Sequence, residues 1–176
     1  MLRSALDEFV PFGSSGWWLL AGLLVIGRAS DLLSTYLATP HLVLEGNPLA
    51  RRLGWRLGLP VNLIMVLLAA AWPLLAISLT TTSLMVAARN LQSAWLMRSM
   101  GEREYRHWMT ERLAEGPWWL AWLCFLGEGT LVGLVGLALL WFARWQLIPF
   151  GIGLGLASYG VAVAFFTSIS LWRSRY

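Results

Sequence analysis

Four stretches of this chain, residues 17–39, 60–82, 117–143 and 147–172, are apolar over the roughly 20 residues that a bilayer-spanning helix needs. Three of them carry charged or amide side chains where lipid would penalise them. Arg28 and Asp31 lie inside the first run, Asn62 early in the second and Glu128 inside the third. Placing one charge in hydrocarbon costs about 2.5 kcal/mol or more without a partner or water, so such residues are candidates for function by default. The expected fold is an all-α, polytopic membrane bundle. It has four transmembrane helices and short interfacial amphipathic helices over residues 48–58 and 85–114, and residues 1–176 form a single membrane domain.

Charge and composition support that class. Charged residues make up 12% of the chain and apolar ones 58%, against about 25% charged in soluble proteins. All 13 basic residues are arginine, and they are scattered rather than gathered into a stripe, which argues against nucleic acid as a partner. They read instead as anchors at the membrane edge. The 12 tryptophans gather near the ends of the runs, as at Trp17, Trp18, Trp118, Trp119, Trp141, Trp145 and Trp172, where an amphipathic ring belongs at headgroup level. Cys124 is the sole cysteine, so one chain can build neither a disulfide framework nor a thiolate metal site. Asp7 and Glu8 precede a full-length apolar run, which does not fit a cleaved leader, and the first span is expected to be retained.

Breakers and caps divide the chain. Pro40 stops the first helix at Thr39, which also reads as the N-cap of a short connector helix, and Asn47-Pro48 reads as the cap and start of a second. Pro73 is expected to kink the second span near its middle. Arg89, Asn90, Gln92, Ser93 and Arg98 make residues 85–100 look amphipathic and non-spanning. Arg144-Trp145-Gln146 is short enough to force the last two spans into an antiparallel hairpin. Small residues four apart, Gly129 and Gly133, Gly151 and Gly155, Gly153 and Ala157, Gly160 and Ala164, would let its backbones approach closely. With four spans, both termini and the 83–116 loop share the more arginine-rich side, which the positive-inside rule makes cytoplasmic; the 40–59 connector is then extracytoplasmic.

On the first helix Arg28, Asp31, Ser34 and Thr35 follow helical spacing and project from one face, which cannot look at lipid. With Glu128 they form the candidate buried polar site. The group is either a structural ion-pair network or a pair of carboxylates, Asp31 and Glu128, around a hydrated cavity that handles a cation or a proton. Glu128 has no basic residue within a helical turn, and Arg28 is its expected partner from another helix. The connector carries His41, Glu45 and Asn47. His41 and Glu45 lie four apart, but two ligands in one turn are too few to assign a metal. His107 reads as a solvated side chain and Asn90 as a hydrogen bond between helices. No nucleophile elbow, H-E-x-x-H, phosphate loop or Cys/His signature occurs, and no cofactor is expected.

The run Asp31-Leu32-Leu33-Ser34-Thr35, followed by Glu45-Gly46-Asn47-Pro48-Leu49, resembles a family of uncharacterised small prokaryotic multi-pass membrane proteins. That family carries an Asp…Thr…Glu-x-Asn-Pro pattern across the first span and following loop. The likeness covers about the first 80 residues and departs at Asn62, where the family has a basic residue. It implies a compact helical protein of the prokaryotic inner membrane and supplies no substrate. Three functions compete: binding or passing a cation or proton, in an oligomer; an accessory or assembly subunit whose buried charges are structural; and a membrane-embedded lipid-modifying enzyme. The partners expected are the lipid bilayer and further copies or other membrane proteins.

Overall fold

The computed structural model describes residues 8–173, and among them the chain is helical with no strand. The helices are α1 (Ser15–Ala38), α2 (Pro48–Ala69), α3 (Pro73–Met100), α4 (Glu102–Glu115), α5 (Trp118–Phe142) and α6 (Leu147–Arg173). Ser14 caps α1, its side chain accepting from the backbone N–H of Trp17 at 3.2 Å. Asn47 caps α2 by accepting from the N–H of Leu49 at 2.9 Å, with Pro48 in the first turn where its missing donor costs nothing. Of the two caps, Asn47 is the one expected from the sequence.

Five helices, rather than the four expected, are long and apolar enough to cross a membrane: α1, α2, α3, α5 and α6. The correction has two parts. Pro73 does not kink a continuous span; it opens α3, after Ala71 and Trp72 close a tight turn onto the carbonyls of Leu68 and Ala69. Residues 85–100 do not form a separate helix but continue α3, where Arg89 and Asn90 are directed at neighbouring helices. The expected helix over 48–58 is joined to the span behind it, with a break at Gly54, whose φ of 61° and ψ of −171° suit glycine.

Contacts at both ends show that α2 runs antiparallel to α1 along its length. At one end the Trp55 indole donates to the Pro40 carbonyl at 2.8 Å. At the other, the N–H of Val10 donates to the Ala71 carbonyl at 2.9 Å. An apolar cluster of Trp17, Ala21, Leu24, Val66, Ala69, Ala70, Ala71 and Ala76 closes that second end. Helix α3 is central, with α1 on one side and α6 on the other, and α5 packs on α6. Close approach depends on glycine. A Cβ at Gly27 would stand 3.1 Å from the Thr80 Cα, and one at Gly155 2.7 Å from the Ser78 carbonyl. Outside this packing, large apolar side chains such as Leu19, Leu33, Leu68, Leu131, Trp141 and Phe165 stand exposed, as a lipid-facing surface requires.

The connector between α1 and α2 lies at the same end as the start of α4. The Glu102 carboxylate accepts from the Thr39 hydroxyl, and at 2.9 Å from the backbone N–H of both His41 and Val43. Arg106 donates to the Val43 carbonyl. The connector and the start of α4 are therefore in direct contact, and residues 39–47 form turns and bends rather than a short helix capped at Thr39.

Candidate functional site

Two polar clusters flank α3. In the first, on the α1–α2 side, Arg28 is the hub. Its Nη1 donates to Asp31 Oδ2 at 2.7 Å and to the Ser83 hydroxyl at 3.0 Å. Nε donates to Asn62 Oδ1 at 2.9 Å, and Nη2 reaches the same oxygen. One guanidinium thus ties α1, α2 and α3 together, using the planar fork that makes arginine suited to several acceptors at once. Asn62 in turn donates to the Gly58 carbonyl at 2.8 Å, which fixes its amide with the oxygen towards Arg28. About one turn further along α1, Asn90 of α3 donates to Ser34 and Thr35 at 3.2 and 3.1 Å, and Ser34 donates to the Asp31 carbonyl at 2.8 Å. Arg28, Asp31, Ser34 and Thr35 therefore do share one polar seam.

Glu128 does not join it. Its partners are Tyr159 of α6, whose hydroxyl donates to Oε1 at 2.7 Å, and Arg89 of α3, whose Nη1 lies 3.3 Å from Oε2. The expected Arg28–Glu128 partnership is replaced by Arg89–Glu128. Arg89 and Asn90 are adjacent in sequence and serve opposite sides of α3, one towards α5 and α6 and the other towards α1. This is the second polar cluster. Tyr159 is fully buried, whereas the Glu128 side chain remains 42% exposed.

The connector residues separate by role. Asn47 is the α2 cap, and Glu45 accepts from the backbone N–H of Asn47 at 2.7 Å. Glu45 also lies within electrostatic reach of Asp31, although a straight reading of the helix puts Asp31 two turns below the connector. His41 does not pair with Glu45. Its largely exposed ring sits 2.9 Å from Glu102 through Nδ1. Burial alone would raise the Glu102 pKa, but hydrogen bonds from Thr39, from the backbone N–H of His41 and Val43 and from the His41 ring outweigh it and bring it down to about 2.

Ser83, Arg89, Tyr159 and Glu102, with Asn62, which in sequence reads only as an amide in the second apolar run, complete these clusters outside the expected polar site. Asn62 and Arg89 left a trace in the sequence, as polar groups interrupting apolar stretches. Ser83 and Tyr159 left none, since hydroxyl-bearing residues are common in apolar helices. Comparison of the chain with protein-family models, with curated proteins and with solved structures finds no match. Function has to be read from the chemistry of the clusters.

Proposed function

We propose that this is a multi-pass membrane protein that takes up and releases a proton or a small cation at Asp31, in the seam between α1, α2 and α3. The observation that carries this reading is the charge arrangement. Arg28 faces Asp31 directly, Glu45 is a second carboxylate within reach, and Asp31 keeps 15% of its side-chain surface open. One cation set against two acids favours a further positive charge, and intramembrane acids of this kind commonly serve as relay or ion sites. Infrared spectroscopy of the protein in vesicles tests it. The expected result is a protonated-carboxyl band that titrates with pH or bound sodium or potassium and is missing from Asp31→Asn. An unchanged band in that variant, or none in the unmodified protein, overturns the reading.

A structural reading of the same seam is favoured by one observation, that Nε, Nη1 and Nη2 of Arg28 all have protein partners. Breaking a buried pair from one side costs about 3–5 kcal/mol, whereas removing both charges can cost nothing. If the seam only holds helices together, Arg28→Gln should unfold more easily and Arg28→Gln with Asp31→Asn should recover, with no titrating band in any form.

We also infer five crossings. They place residue 8 and residue 173 on opposite faces, in place of termini on one side. Arg51, Arg52, Arg56, Arg98, Arg103, Arg106 and Arg112 belong to the connector end, whereas Arg144 belongs to the other. The positive-inside rule then makes the connector end cytoplasmic.

A further inference from the structure

We propose that Arg51, Arg52 and Arg56 bind the phosphate of an anionic phospholipid in the leaflet at the connector end. This surface is separate from the Asp31 seam and does not depend on its function. All three side chains are exposed, and none has a hydrogen bond or ion pair among the described residues. Their charge is also uncompensated along the chain, since no acid occurs between Glu45 and Glu102. Of the other arginines at this end, Arg106 is engaged with the Val43 carbonyl and Arg112 with Glu115 at 2.6 Å.

The depth of the three is set by their neighbour Trp55. Its indole is pinned to the Pro40 carbonyl, and its ring meets the exposed Tyr36 ring edge-on at 5.8 Å. A Trp–Tyr pair at a helix end marks the headgroup level of a bilayer. Leu49, Leu57 and Leu59 are exposed in the same stretch and suit the acyl region beside it. Gly54 breaks α2 between Arg52 and Arg56, dividing the three between two helical segments. Guanidinium groups at headgroup depth, flanked by exposed leucines, fit a lipid whose phosphate is negative and whose chains lie below it.

Electron paramagnetic resonance of spin-labelled phosphatidylglycerol and phosphatidylcholine in vesicles containing the full chain tests this. The unmodified protein should restrict the anionic lipid in preference to the zwitterionic one by at least about threefold. Arg51→Gln with Arg52→Gln and Arg56→Gln should bring the ratio to about one while leaving the melting temperature unchanged. A control with the same charge change at the same end, Arg98→Gln with Arg103→Gln and Arg112→Gln, should keep the preference. Equal restriction of both lipids by the unmodified protein, a preference that survives in the first variant, or equal loss in both variants would overturn the proposal.

Discussion

Glu102 holds the connector to the rest of the molecule. Its side chain is 9% exposed and accepts from one hydroxyl and two backbone N–H groups of residues 39–43. The pKa is about 2 in the folded protein against an ordinary 4.5, so the ionised form is the one the fold favours. The stabilisation is complete above about pH 4.5 and is lost as pH falls towards 2. Its upper bound is about 3 kcal/mol. Thermal unfolding measured between pH 2.5 and 7 should show a falling acid limb. Glu102→Gln should lower the melting temperature near neutrality and flatten that limb, because an amide has one acceptor oxygen where the carboxylate has two. An acid limb of the same steepness in parent and variant would remove Glu102 as its origin. Tertiary contact alone exposes this role, since in sequence Glu102 is one of several acids in a mixed-charge helix.

Packing between elements is decided by which face of α6 each glycine takes. Gly151 and Gly155 meet α3, at Ile77 and at Thr81 and Ser78, whereas Gly153 and Gly160 meet α5. The four-residue spacing expected of a hairpin interface holds for Gly129 and Gly133 of α5, which approach Gly160. For Gly151 and Gly155 the same spacing serves a different neighbour. A Cβ at Gly136 would stand 2.5 Å from the Ala157 backbone nitrogen and 2.7 Å from the Gly153 carbonyl, so the helices must separate to admit it. Gly136→Ala should therefore destabilise by about 1–3 kcal/mol. Gly22→Ala, with nothing within 4 Å, should be neutral or slightly stabilising through helix propensity. Melting temperatures of the two variants in one detergent check the contrast, and equal shifts would mean that the α5–α6 contact is looser than described.

At the scale of the molecule, five crossings and four make opposite statements about three positions. In a background with Cys124→Ser, cysteines at positions 41 and 107 should react with an impermeant maleimide from the same face, and one at 146 from the other. Joint labelling of 41 and 146 against 107 would restore the four-span arrangement and break the Glu102 contact with the connector. Cytoplasmic access at 41 and 107 would agree with the distribution of arginines.

The all-helical membrane class, the cap at Asn47, the hairpin after Ala143 and the common face of Arg28, Asp31, Ser34 and Thr35 follow from the sequence alone. Each rests on run length, local capping chemistry or the 3.6-residue period, which neighbouring helices do not alter. The number of membrane-length helices, the partner of Glu128 and the side of α3 that each polar group serves were decided only by tertiary structure. Arg89 and Asn90 show why. Polar residues within an apolar helix read as a solvent face until a neighbouring helix supplies Glu128, Ser34 and Thr35, and no local pattern in the chain encodes which helix that will be.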